Sequence, residues 1–310
     1  VSLRVYITGD TGLVGSRLVD AWQEMWAVAG CSRRELAAAR TEHHRLDLAE
    51  DPRRVADVLE AFQPDVVVHT AAVSSPTLLA QDVKGGWRVN VEAAHWAAQW
   101  CRRRDRLLVA FSSDTVYADA AQEAAPQGGW PESAVCAPGH LYGRSKVDME
   151  RAVLEALPQA LLPRSSLLWG RSTPGQNSFS GWLLQRLAQD ATVPVFRDNM
   201  RHMLAVGALP GMLERLITLM VRGGEEARGL MGPLNVGGAG YLSREDFARR
   251  LFRHLGLDEQ RLRPMDTAEA GLQEVPAREL PLNLQSLAAL VGDIPATEPW
   301  LAREYPFVTG

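Results

Sequence analysis

Lysine occurs only twice in this 310-residue chain, at Lys84 and Lys146, although the chain carries 33 basic residues. Lys146 follows Tyr142 by four positions in LYGRSK, a segment that reads as a helix start, so both side chains lie on one helix face. A phenol alone, with a pKa of about 10, is a poor acid–base group near neutrality. An ammonium beside it stabilises the phenolate and lowers that pKa towards the working range. A tyrosine–x3–lysine match arises by chance in a chain of this composition with odds of roughly 3 in 100. Upstream, Ser113 ends an apolar run, LLVAFSS, that reads as a strand. Taken singly, Tyr142 reads as an amphipathic helix-start residue and Ser113 as an ordinary strand-end turn. Taken together, Ser113, Tyr142 and Lys146 suit the protonation of a carbonyl oxygen on which negative charge develops.

The reductant for such a step has a candidate cradle at the N-terminus. Gly9, Gly12 and Gly15 fall with GxxGxxG spacing in TGDTGLVGSRLV, after a strand pattern and at a helix start. There, glycines permit a tight turn, close approach of a pyrophosphate and close helix–sheet packing, while the helix N-terminus favours anions. The expected cofactor contacts are Gly9, Thr11, Gly12, Leu13, Val14 and Gly15. At the end of the second strand the chain reads Cys31-Ser32-Arg33-Arg34-Glu35. Arginines where an acid would read a ribose 2′-hydroxyl favour NADP(H) over NAD(H), because a guanidinium clamps a 2′-phosphate. Against that, Arg33 and Arg34 also read as a solvated face, with Glu35 as the reader. Asp47 and Leu48, after the third strand, are expected to reach the adenine. Ala71, Ala72 and Val73, after the fourth, are expected to let the cofactor pass. Asn90, Tyr142 and Lys146 complete the expected contacts, with Lys146 on the nicotinamide ribose.

These residues need a sheet to position them. Strand patterns at Leu3–Thr8, Trp26–Ser32, Leu46–Leu48, Asp65–Thr70, Leu107–Ser113 and Leu161–Trp169 alternate with helical patterns at Val14–Met25, Val55–Phe62, Trp87–Arg104 and from Tyr142 onwards. That alternation predicts an α/β fold, a Rossmann-type doubly wound parallel sheet with a smaller C-terminal α/β substrate-binding region. The expected division is residues 1–168 for the cofactor domain and 169–310 mainly for substrate, with some segments returning to the sheet. The second half predicts a loop at Gly170–Ser180 and a helix near Trp182–Gln189. It also predicts a strand near Val193–Phe196, and helices at Leu209–Val221, behind a Ser243/Asp246 capping box, and at Leu284–Val291. Ala118–Gly139, rich in Ala, Pro and Gly, reads as a mobile linker.

At this point the sequence resembles the extended short-chain dehydrogenase/reductases, on the glycine loop, Ser113, Tyr142 and Lys146. Within them it is similar to the dTDP-4-dehydrorhamnose reductase group. SSDTVYAD (Ser112–Asp119) resembles that group's S-T-D-Y-V-F-x-G, and LYGRSKVDME its Y-G-x-[ST]-K-x-x-x-E. PRSSLLWG (Pro163–Gly170) is similar to R-[ST]-x-x-[VL]-[YF]-G, DNMRHMLAVGAL (Asp198–Leu209) to D-Q-x-x-x-P-x-x-x-D-x-L, and Pro233–Arg250 to hxSGxxxSxxEFA. The chain departs from these patterns at Thr115, Leu167, Met203 and Gly207-Ala208, positions on the substrate side. The resemblance implies NADPH-dependent reduction of a keto group on a nucleotide-activated deoxysugar, or of a similar polar ketone, with Tyr142 as proton donor. Ser74, Asp114, Asn177 and Arg201 are the substrate candidates.

Two other readings stay open. A nucleotide-sugar epimerase or dehydratase would retain NAD, and a dehydratase would carry an acid pair where this chain has Asp114-Thr115. An NADP-binding regulatory subunit, similar to the methionine adenosyltransferase β-subunit, would act by association. Net charge −4 and pI near 6.0 argue against nucleic-acid or anionic-membrane partners. No apolar run approaches a membrane span, and the N-terminus opens directly on a strand pattern without a secretory signal. Cys31, Cys101 and Cys136 form neither a disulfide framework nor a metal knuckle, which fits a reducing, cytoplasmic setting. No metal constellation is visible, and His43 and His44 read as surface residues. Trp96 and Trp100, on the long predicted helix, suggest a homodimer patch beside their core role.

Overall fold

The structure, a computed structural model, describes residues 2–35, 41–118, 124–173, 176, 178–189, 192–224, 229–271 and 277–306. Its strands are, in chain order, β1 (Arg4–Thr8), β2 (Ala27–Ser32), β3 (Glu42–Arg45), β4 (Val66–His69), β5 (Leu107–Ala110), β6 (Ser112–Ser113), β7 (Leu161–Ser165), β8 (Leu168–Trp169), β9 (Val193–Phe196), β10 (Met200–Arg201), β11 (Leu204–Ala205), β12 (Gly232–Val236), β13 (Leu242–Ser243), β14 (Leu262–Met265) and β15 (Glu279–Leu280). The helices used below are α1 (Leu13–Trp22), α2 (Arg54–Phe62), α3 (Pro76–Gln81), α4 (Val83–Trp87), α5 (Ala93–Arg104), α6 (Leu141–Ala156), α7 (Phe179–Gln189) and α8 (Leu209–Arg222).

The chain divides into two compact units. The first is Val1–Val116, Leu141–Arg164 and Leu209–Leu234. It carries the main sheet, in the order β12-β7-β5-β4-β1-β2-β3, with β6 paired to β7; of β12, residues 232–234 belong to this unit. Every pairing from β3 through β7 is parallel. The strand order reverses direction at β1, the arrangement of a doubly wound Rossmann-type sheet. Buried parallel strands must be apolar on both faces, and VVVH in β4 is buried throughout. Side chains alternate across the sheet. Tyr6, Ala29, Val67 and Leu108 join one core cluster with residues of α2, α5 and α6. Val5 and Ile7 point to the other face of β1, where α1 lies on β1 and β2 and packs against α8.

The expected third strand lies earlier than the apolar triplet Leu46–Leu48. The paired residues are Glu42–Arg45, and Leu46 and Leu48 turn into the core behind them. The long helix expected at Trp87–Arg104 is interrupted: a five-residue π-turn, Arg88–Glu92, separates α4 from α5. The run Leu161–Trp169 splits as well. Leu161–Ser165 stays in the main sheet, while β8 pairs with β11. Trp100, proposed above for a dimer patch, is 1% exposed and its indole donates to Glu60 Oε2, so it belongs to the core. Trp96 packs partly buried against the same core.

The second unit is Tyr117–His140, Ser165–Ala208 and Asn235–Gly310. Its strands form small sheets, β13-β10-β15, β11-β8 and β14-β9. The expected capping box forms: Ser243 Oγ accepts from the Asp246 N–H, and the Asp246 carboxylate accepts from the Ser243 N–H. The stretch Ala118–Gly139 is anchored where it is described. Trp130 is buried and stacks on Tyr117 with ring centroids 5.8 Å apart. Buried Asn235 ties this region together. It accepts from the Tyr117 hydroxyl at 2.7 Å and donates to the carbonyls of Trp130 and Asn283 at 2.8 and 3.1 Å. A helix absent from the expectations, Thr297–Glu304, follows the expected one at Gln285–Val291. Among the described residues, no helix is long and apolar enough to cross a membrane.

Candidate active site

Lys146 is buried on α6, and its Nζ donates to the Phe111 carbonyl at 2.8 Å, at the step from β5 to β6. The same Nζ lies 5.8 Å from the centre of the Tyr142 ring. Burial pushes the ammonium down to about 8, with the Glu150 carboxylate opposing that fall. Tyr142 goes the other way. Burial, and then the negative charge of Asp114, hold its phenol above the ordinary value. The expectation that the ammonium would lower the phenol therefore does not describe the protein alone, where burial and the Asp114 charge raise it. The result is a neutral phenol near a cation.

Ser113 is held by its neighbours. Its Oγ donates to Asp114 Oδ1 at 3.2 Å and accepts from the Thr115 hydroxyl at 2.9 Å and the Thr115 N–H at 3.2 Å. To bind a substrate carbonyl, the Ser113 hydroxyl hydrogen must swing away from Asp114.

Sequence reasoning missed the network behind this triad. Glu150, four residues after Lys146, accepts from Arg164 at both oxygens, at 2.9 and 2.7 Å, and accepts from the Ser112 hydroxyl. Glu150 and Arg164 are almost fully buried, so each charge depends on the other. Through Ser112 the pair fixes β6, the strand that carries Ser113. A usable signal was the spacing itself, since a glutamate four places after Lys146 shares its helix face.

Asn90 was expected to touch the cofactor, and the structure gives it a different task. Its carbonyl accepts from the Val73 N–H at 2.7 Å, and its NH2 donates to the Val73 carbonyl at 3.2 Å and to Ser145 Oγ at 2.9 Å. Ser145 in turn donates to the Tyr142 carbonyl at 2.8 Å. Both amide hydrogens are engaged within the protein. Asn90 thus joins the loop after β4 to the first turn of α6, and the π-turn aims it there.

The glycine loop fits a dinucleotide. Gly9 has φ +72°, and a Cβ there would lie 2.9 Å from the Ala71 backbone. A Cβ on Gly15 would fall 2.3 Å from the Gly9 carbonyl oxygen, so α1 starts hard against the loop. The α1 N-cap, Gly12, makes no side-chain cap, and the first turn carries no acid. Its backbone N–H groups suit a pyrophosphate. Thr11, Leu13 and Val14 are half-buried in the same turn. Ser32 is half-buried, and Arg33 and Arg34 are exposed. The β2–β3 register sets Arg45 beside Ser32, and Arg45 pairs with Glu35 at 3.6 Å. A third arginine therefore reaches this edge, and Glu35 is partly neutralised.

Several expected contacts have structural roles. Leu48 packs in the core, and Asp47 Oδ1 accepts from the Ala49 N–H. Ala71, Ala72 and Val73 are half-buried, whereas Ser74 is exposed. Buried His69 shares a 2.9 Å hydrogen bond with Thr8 Oγ1, which also accepts from the Ala71 N–H. Burial, aided by the Lys146 charge, pushes His69 down to about 3 and keeps it neutral. His43, expected at the surface, has a nearly buried side chain against Asp10.

Among the substrate candidates, Asp114 is buried in the short turn after β6. Asn177 lies outside the described residues. Arg201, in the second unit, is buried and donates to the carbonyls of Met200, Ala277 and Arg278, tying β10 to the segment entering β15. That use leaves it a poor candidate for substrate. The second unit also holds a cavity of about 570 Å³ whose lining includes His202, Tyr241, Glu279 and Leu282, and none of the expected residues.

The doubly wound parallel sheet with a glycine turn at its first strand is a fold of the extended short-chain dehydrogenase/reductase type. The chain belongs to the RmlD substrate binding domain family, whose model matches residues 3–298. It is an NAD(P)H-dependent oxidoreductase similar to dTDP-4-dehydrorhamnose reductases. A probable dTDP-4,6-dihydroxy-2-methyloxan-3-one 4-ketoreductase of Streptomyces antibioticus is 30% identical over 263 residues, 84% of this chain and 80% of that protein. The methionine adenosyltransferase 2 subunit beta of Pongo abelii is 32% identical over 168 residues, 54% of this chain and 47% of that protein. The crystal structure of dTDP-4-dehydrorhamnose reductase from Bacillus anthracis in complex with NADP matches with a TM-score of 0.80 at 21% identity. It covers 98% of this chain and 99% of that one, and shares the fold.

Proposed function

We propose that this chain uses NADPH to reduce a keto group on a nucleotide-activated deoxysugar. The observation that carries the reading is the buried Lys146 ammonium, 5.8 Å from the Tyr142 ring and bonded to the carbonyl that precedes β6. A nicotinamide held by the glycine loop and Lys146 would supply the hydride that the carbonyl carbon accepts. Tyr142 gives its proton to the developing alkoxide, a stronger base than a phenolate, so a phenol held above its ordinary value still donates downhill. Lys146 stabilises the phenolate left behind. Ser113 turns its hydroxyl from Asp114 to the carbonyl oxygen. Gly9, Gly12 and Gly15 hold the pyrophosphate, and Arg33 and Arg34, with Arg45 nearby, favour the 2′-phosphate of NADPH.

The test is NADPH oxidation with dTDP-4-keto-6-deoxyhexoses, wild type against Tyr142→Phe. Turnover should fall by about 10²–10⁴-fold in the variant, while NADPH binding persists. A fully active Tyr142→Phe protein would sink the assignment of the proton donor. The kinship with methionine adenosyltransferase 2 subunit beta favours a second reading, action by association. Tight NADP binding without turnover of any keto-sugar nucleotide would select it.

A further inference from the structure

His43 bridges the two loops on which dinucleotide binding rests. Its Nδ1 lies 2.6 Å from Asp10 Oδ2, and its Nε2 lies 2.9 Å from the Arg34 carbonyl oxygen. Asp10 follows Gly9 in the glycine loop, and Arg34 closes the arginine pair after β2. The side chains of His43 and Asp10 are only 7% and 4% exposed. The second carboxylate oxygen, Oδ1, is buried and has no hydrogen bond among the described residues.

A carboxylate and a peptide carbonyl both accept and neither donates. With Asp10 ionised, an imidazole between them satisfies both contacts only with hydrogens on both nitrogens, as a cation. That cation balances a carboxylate which would otherwise sit desolvated and unpaired. The sequence around it makes room for the pair. His43 pairs in register with Gly30 of β2, and a Cβ on Gly30 would lie 2.6 Å from the Asp10 Cβ.

An acid near the end of β2 selects against a 2′-phosphate by repulsion. Here an acid reaches that neighbourhood from the glycine loop instead of from the strand end. We propose that His43 is a specificity-determining residue for the cofactor: it cancels the Asp10 charge and pins the Arg34 backbone, so that the end of β2 accepts the 2′-phosphate of NADPH. This inference rests on the NADPH reading above.

The experiment measures dissociation constants for NADPH and NADH by fluorescence titration, which needs no knowledge of the sugar. The wild type is titrated first. Equal or tighter binding of NADH by the wild type would overturn the NADPH reading itself. If the wild type prefers NADPH, His43→Gln should weaken NADPH by about tenfold or more, the effect of one unbalanced charge, and NADH far less. Adding Asp10→Asn to His43→Gln should restore most of the NADPH affinity, because the charge to be balanced is gone. A preference unchanged in His43→Gln, or an equal loss for both cofactors that Asp10→Asn does not rescue, would overturn the role of His43 alone. If His43→Gln does not fold, the double variant and Asp10→Asn decide. Both should keep the NADPH preference, and its loss in either would overturn the inference.

Discussion

Lys146 works against its surroundings, which hold its ammonium near 8 instead of the ordinary 10.5. The group is charged below that value and neutral above it. Reduction that needs the ammonium should therefore proceed at neutral pH and decline as pH rises through about 8, read as the alkaline limb of kcat. The same depression affects stability with a definite sign. Between about 8 and 10 the unfolded chain binds a proton that the folded chain has lost, so this group makes stability rise with pH across that window. Glu150 props the ammonium up. Glu150→Gln should move the alkaline limb to lower pH. It should also leave Arg164 buried without its carboxylate, at a cost of about 3–5 kcal/mol, measurable by denaturant unfolding. An unmoved limb in a folded Glu150→Gln protein would mean that Glu150 only packs.

At the scale of elements, the π-turn between α4 and α5 matters most. An uninterrupted helix would carry the residues after position 88 at a different angle, and Asn90 would not meet both Val73 and Ser145. The clamp holds the first turn of α6, with Tyr142 on it, against the loop after β4. Asn90→Ala removes three hydrogen bonds and leaves the Val73 groups unsatisfied, at about 1–3 kcal/mol. Loosening Tyr142 by about an ångström should lower kcat by about 10²-fold, with the circular-dichroism spectrum retained. Full kcat in Asn90→Ala would show that α6 is held in place without the Asn90 clamp.

For the whole molecule, the two units are built on different principles. The first rests on a continuous apolar sheet with helices on both faces. The second has short strands and depends on a few buried polar hubs, Asn235 above all. Asn235→Ala removes one hydrogen bond each from the Tyr117 hydroxyl and from the Trp130 and Asn283 carbonyls. Thermal unfolding should shift down by several degrees, as expected for a loss of about 1–3 kcal/mol. At temperatures below that transition, NADPH affinity should stay within about twofold of wild type, because the glycine loop and arginine pair belong to the first unit.

The amino-acid sequence by itself determined the sheet, the glycine turn and the serine–tyrosine–lysine set, because each is a local pattern. Apolar runs must be buried, glycines mark turns, and an i, i+4 pair shares a helix face. Tertiary structure alone decided the rest. Glu150 meets Arg164, Asn90 meets Ser145, and His43 meets Asp10 only after distant segments pack. Whether a polar side chain serves a ligand or the fold depends on which partner reaches it first. Arg201 and Asn90 were claimed by the fold for that reason, and burial, which no local pattern reports, set the directions in which Tyr142 and Lys146 are shifted.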